Sequence, residues 1–123
     1  MTMILTEEEI NTFKKAIETY GVESQEDVAI EEMSELTKAI IKNRRYNTEK
    51  TRKDIVEETT DVLIMLLQLT FVYGVDGDIF RAKIDRLKKR LDEENKPPEF
   101  EVFSPVSEEI VKGVLNNGEE NQQ

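Results

Sequence analysis

Two short stretches hold carboxylates close against apolar residues: AIEEMSELTKAI over 29–40 and IVEETTDVLIMLL over 55–67. On a helix, residues three apart share one face, with their Cβ atoms about 5–6 Å apart. Glu32 with Glu35 is one such pair, and Glu58 with Asp61 is another. If the two helices pack side by side, these carboxylates converge at the edge of the core. Converging anions repel one another and lose hydration, so they persist only with protons or cations between them. An all-oxygen donor set without imidazole or thiolate suits a hard cation, Mg²⁺ or Mn²⁺. Such ions keep coordination positions for water and phosphate oxygens, which leads to phosphate-ester or phosphoanhydride hydrolysis. A solvated helix face is the rival account of any single pair in a chain with 27 acids, and Glu23 with Glu26 is a further pair given no role. Two pairs on successive helices, each followed by apolar residues, are harder to explain in that way.

Composition removes other chemistries. The 123 residues include neither Cys nor His nor Trp. That excludes disulfides, thiol nucleophiles, serine triads and most zinc or iron sites. The Glu-x-x-His motif of di-iron bundles is impossible. The N-terminus MTMILTEEEI lacks the basic region and long apolar stretch of a signal peptide, and the most apolar run, 62–73, is too short to span a bilayer. The expectation is a cytoplasmic protein without a membrane partner. A net charge of −10 argues against nucleic acid as the primary partner. The charge is unevenly spread. Residues 1–35 hold ten acids and two bases, 36–53 seven bases and one acid, 54–80 six acids and no base, and 81–96 seven bases and four acids. The alternation suits a site for a metal and a small polyanion, with mutual pairing of helix faces as the competing use.

Helices must position these groups. Thr6 with Glu9 predicts a capping box opening a first helix, and Gly21 predicts its stop. Ser24 with Asp27 predicts the cap of a second helix, running to Ile41 or Asn43 with Ala29, Met33, Leu36 and Ile40 on its inner stripe. Glu32 and Glu35 would then flank that stripe, and NRRYNTEK would be a loop. A third helix is expected from about Lys50 to Tyr73, apolar almost all round in its second half and enclosed by its neighbours. A fourth, amphipathic helix is expected over about Asp78–Glu94, and a short one over Ser107–Leu115. The fold class is therefore all-α: an antiparallel four-helix bundle completed by oligomerisation, with a helical domain over 1–96 and a partly disordered extension over 97–123.

The paired motifs EEMSEL and EETTDVL resemble the signature of the MazG-like, all-α nucleotide pyrophosphohydrolases, a superfamily that includes dimeric dUTPases and dCTP pyrophosphatases. Its pattern is Glu-x-x-Glu on one helix and Glu-x-x-Asp on the next, and 22 residues separate Glu35 from Glu58 here. The stretch YGVDGDIFRAKIDRLKKR resembles the turn and helix that follow, so the likeness spans about Ile10 to Arg90. It implies Mg²⁺ held by Glu32, Glu35, Glu58 and Asp61, with Glu31 and Glu57 orienting basic side chains or supporting the ligands from outside. With no histidine in the chain, one of these glutamates, Glu31 among them, is the candidate to accept the proton of an attacking water. Lys83 matches the phosphate-contacting lysine, and Arg86 and Arg90 each fit a variant of the arginine position. The family's asparagine in that helix has no counterpart, Leu87 standing at one possible position. A homodimer or homotetramer is implied, as is a nucleoside triphosphate substrate cleaved to a monophosphate and pyrophosphate.

Lys38 and Lys42, one and two turns beyond Glu35, are within reach of a phosphate chain, with ion pairing inside the helix as the alternative. Phe13, Tyr20 and Tyr46 are candidates for stacking on a base, with core packing the default for Phe13, and Phe71 and Tyr73 are assigned to the core. Two rival functions stand beside the hydrolase. One is a non-catalytic helical oligomerisation or regulatory module. The other is a dUTPase-like enzyme accepting both di- and triphosphates.

Overall fold

The computed structural model describes residues 5–94, and every regular element among them is an α-helix: α1 (Glu7–Tyr20), α2 (Val22–Tyr46), α3 (Glu49–Tyr73) and α4 (Gly77–Glu94). The expected all-α fold of four helices is what the chain adopts. Helices α1–α3 form one compact unit, Thr6–Tyr73, and α4 belongs to a second. The expected helix over Ser107–Leu115 and the extension from residue 97 lie outside the described residues.

Local chemistry sets the boundaries. Thr6 Oγ1 accepts from the Glu9 backbone N–H at 3.1 Å, and the Glu9 carboxylate accepts from the Thr6 N–H at 3.0 Å, completing the capping box. Gly21, at φ 90° and ψ 154°, ends α1 and begins α2 in a single residue. That backbone region is essentially closed to residues with a Cβ, which is why glycine makes this corner. Because Gly21 alone turns the chain, α2 is under way by Val22, and the expected Ser24–Asp27 cap does not form. At its other end α2 continues through Tyr46, beyond the expected stop at Ile41 or Asn43. Asn47 takes the left-handed conformation, φ 44° and ψ 54°, and closes the helix as glycine often does. The expected NRRYNTEK loop shrinks to Asn47 and Thr48. Thr48 Oγ1 then accepts from the Thr51 N–H at 3.1 Å and caps α3. Further on, Asp76 Oδ1 accepts from the N–H groups of Asp78 and Ile79 at 2.9 and 3.1 Å, starting α4.

Helices α2 and α3 form the antiparallel hairpin that dominates the packing, and α1 lies against both. Two polar contacts fix its register. Thr51 Oγ1 donates to Asn43 Oδ1 at 2.8 Å near the turn, and Gln25 Nε2 donates to Gln68 Oε1 at 2.6 Å near the far end. Along α2 the inward line is Gln25, Ala29, Glu32, Leu36, Ala39 and Asn43, all buried or half-buried. This corrects the expected stripe. Ala29 is 2% exposed, but Met33 and Ile40 are 43% and 36% exposed. Alternating steps of four and three from Ala29 can begin with either step; the line taken puts Ala29 and Ala39, which allow close approach, against α3. The matching line on α3 is Thr51, Ile55, Glu58, Val62 and Met65.

Helix α3 is less enclosed than its composition implies. Val62, Met65, Leu67 and Gln68 are buried, whereas Leu66 is 44% exposed. Phe71 is half-buried and meets Phe13 of α1 with ring centroids 6.4 Å apart, so both take the expected packing role. Tyr73 does not join the core. It is exposed, and its hydroxyl donates to the Glu26 carboxylate at 2.8 Å. That bond, followed by partial desolvation and the Glu26 charge, raises the phenol pKa.

Candidate metal centre

The register that joins Asn43 to Thr51 and Gln25 to Gln68 sets Glu32 level with Asp61, and Glu35 level with Glu58. Carboxylate oxygens of Glu32, Glu58 and Asp61 lie within 4.8 Å of one another. Glu32 and Glu58 occupy the packing lines themselves and are half-buried, while Asp61 is exposed at the rim. Glu32 is therefore not a flanking residue, as the expected stripe implied, but part of the hairpin interface.

Crowding marks the charges of this group. The Glu32 carboxyl is raised above its ordinary pKa, first by partial removal from water and then by the charges of Asp61, Glu31 and Glu35. Glu58 is raised in the same order of causes, by desolvation and then by Asp61, Glu32, Glu35 and Glu57. Glu35 is thus near enough to act on both, although its side chain is not one of the converging three. Its Oε1 lies 3.3 Å from the Lys38 ammonium on the next turn. Glu31 and Glu57 are exposed beside the group.

The donor set fits a dication. Cation–oxygen bonds of about 2.0–2.6 Å place two ligand oxygens of one ion at most about 4–5 Å apart, and the three carboxylates meet on that scale. All are hard oxygen donors, which favour Mg²⁺, Mn²⁺ or Ca²⁺ over soft metals.

On α4, described by itself, Lys83, Arg86 and Arg90 are all exposed, and the helical repeat sets them along one edge of the apolar line of Ile79 and Leu87. Tyr20 and Tyr46 are exposed as well. Sequence reasoning stopped α2 before Arg45, and so missed that Arg45 and Tyr46 continue the helical face begun by Lys38 and Lys42. The signal was Asn47, a residue that tolerates left-handed backbone where a glycine stop was absent. No model of a protein family matches the chain, and neither a curated protein nor a solved structure does.

Proposed function

We propose that the chain is a Mg²⁺-dependent nucleoside triphosphate pyrophosphohydrolase, with Mn²⁺ as an alternative ion, cleaving a nucleotide between its α- and β-phosphates. One observation carries this reading: the oxygens of Glu32, Glu58 and Asp61 converge within 4.8 Å across two packed helices. The likeness of EEMSEL and EETTDVL to the MazG-like signature supplies the reaction class.

Glu32, Glu58 and Asp61 would hold the cation, and Glu35 would complete the set on leaving Lys38. When bound, the ion supplies Lewis-acid polarisation of the phosphate oxygens and of an attacking water. Water adds to phosphorus, the bridging P–O bond breaks, and pyrophosphate leaves with the electron pair. Glu31, exposed beside Glu32 and outside the converging three, is assigned to take the proton from that water. By resemblance, Lys83 with Arg86 or Arg90 contacts phosphate.

A homodimer or homotetramer belongs to the same reading. Ile79, Phe80, Ile84, Leu87 and Leu91 form an exposed apolar face on α4, and Ile30, Met33, Ile40 and Ile41 are exposed on α2. Apolar area of this kind marks association surfaces. A monomeric mass in sedimentation would reject the oligomer.

The test of function is a panel of ribo- and deoxynucleotides incubated with Mg²⁺ and analysed for monophosphate and pyrophosphate. Release of inorganic phosphate alone, or no turnover of any nucleotide, rejects the reaction. Equal turnover of dUTP and dUDP would move the assignment to the dUTPase-like alternative.

A further inference from the structure

We infer that the turn end of the α2–α3 hairpin is an anion-binding site for a short polyphosphate chain, contacted by Lys38, Lys42 and Arg45. The inference rests on the basic face of the hairpin and not on the metal reading.

Residues 36–53 carry seven bases and one acid within a chain of net charge −10. The structure gathers them at one place: the last turns of α2, the Asn47–Thr48 turn and the first turns of α3. Lys38, Lys42 and Arg45, with Ile41 and Tyr46, line a single open depression on α2. Only Lys38 of these bases has a carboxylate within ion-pair distance among the described residues, Glu35 at 3.3 Å.

Helix stability does not explain the arrangement. Bases in the last turn favour a helix by interacting with its dipole, which accounts for Arg44 and Arg45, but the effect fades within one turn and does not reach Lys38 or Lys42. At the start of α3 the sign is reversed. Lys50 and Arg52 stand in the first turn, at the positive end of that dipole, where cations are disfavoured. Arg52 has a local use, donating to Asn47 Oδ1 at 3.0 Å. Lys38 with Lys42 is a like-charge pair four residues apart, which destabilises a helix. An anion bound by Lys38, Lys42 and Arg45 relieves the repulsion between the two lysines.

The size of the face selects the ligand. Lys38 to Arg45 spans about 10 Å of helix, suited to a few linked phosphates. The acidic remainder of the chain opposes a nucleic-acid polymer, whose binding needs an extended basic surface. Tyr46, exposed at the end of the face, adds a ring on which the base of a nucleoside polyphosphate can stack.

The experiment titrates tripolyphosphate into the full chain in EDTA and reads binding by calorimetry and amide chemical shifts. Saturable binding is expected, with shifts centred on residues 38–53 and affinity falling with added salt. Lys42→Ala with Arg45→Ala should weaken it tenfold or more; alanine is the best helix former, and circular dichroism checks that the fold is kept. The α4 variant Lys88→Ala with Lys89→Ala, at exposed bases given no role in the site, should bind as the parent does. No binding in EDTA, unchanged affinity in the hairpin variant, or loss in the α4 variant each overturns the assignment. Tighter binding of a single-stranded oligonucleotide than of tripolyphosphate overturns the choice of ligand. Because metal is absent throughout, failure here is separate from failure of the hydrolase reading.

Discussion

The side-chain amide of Gln25 donates to that of Gln68 across the α2–α3 interface at 2.6 Å, and both residues are buried. A buried amide that loses its partner keeps the cost of its lost hydration, about 1–3 kcal/mol. Gln25→Ala should therefore destabilise the chain by about that much. Replacing both residues by leucine should be close to neutral, since no polar group is then stranded. Urea denaturation of the two variants measures the contrast, and equal destabilisation in both would remove Gln25–Gln68 as the determinant of this end of the interface.

How far the sequence disclosed the hairpin follows from the same contacts. Helix existence was legible because Thr6–Glu9 and Gly21 act locally, through bonds made within a few residues. The spacing of Glu58 and Asp61 was legible for the same reason, since a spacing of three on a helix fixes a shared face, whereas Glu35, spaced three from Glu32, turns instead to Lys38. The inner line of α2 was not legible. Lines through Met33 and Ile40, or through Glu32 and Ala39, fit the same period, and hydrophobicity favours the first. Close approach of two helices, anchored by Asn43–Thr51 and Gln25–Gln68, favours the second. That is a property of the pair of helices and not of either one, so Glu32 was placed on a flank when it lies in the interface.

A consequence of that burial is a pH dependence of stability. Glu32 and Glu58 have raised folded-state pKa values, so each binds its proton more tightly in the folded chain than in the unfolded one. Their contribution to stability is complete below the ordinary carboxylate value and is lost as pH rises through the raised folded value. In EDTA, the thermal midpoint of the parent should be higher at mildly acidic than at neutral pH. Glu32→Gln with Glu58→Gln mimics the protonated pair, and should flatten that slope while raising the midpoint at neutral pH. Identical slopes for parent and variant would show that the two carboxyls do not titrate as coupled, partly desolvated groups.

Dication addition should reverse the order. If the proposed centre is right, Mg²⁺ or Mn²⁺ should remove the repulsion among Glu32, Glu58 and Asp61 in the parent and raise the thermal midpoint by binding the folded state. Glu58→Gln and Asp61→Asn each remove a charged oxygen donor. They should weaken the response at least as much as the loss of an outer-shell partner, about 10–100-fold in metal affinity, and abolish nucleotide turnover while leaving the helical circular dichroism unchanged. Full activity in both variants would show that these carboxylates are not ligands.

Lys38 links the carboxylates to the basic face, and its removal separates two roles. Its ammonium lies 3.3 Å from Glu35, with both side chains substantially exposed, so the pair itself contributes little to stability, about 0–1 kcal/mol. On the proposed reading, Lys38, paired with Glu35, would compete with a dication for that carboxylate and, as a nearby cation, oppose its binding. Lys38→Met keeps much of the side-chain length and removes the charge. The expected result is a thermal midpoint close to the parent's and a tighter Mg²⁺ dissociation constant, by a factor of up to about five, the equivalent of 1 kcal/mol. Tripolyphosphate binding in EDTA should weaken in the same variant, because one of its three contacts is gone. Opposite movement of the two affinities is the signature of a lysine poised between metal and anion. If both weaken together, Glu35 is held in a useful position by Lys38 and the competition does not exist.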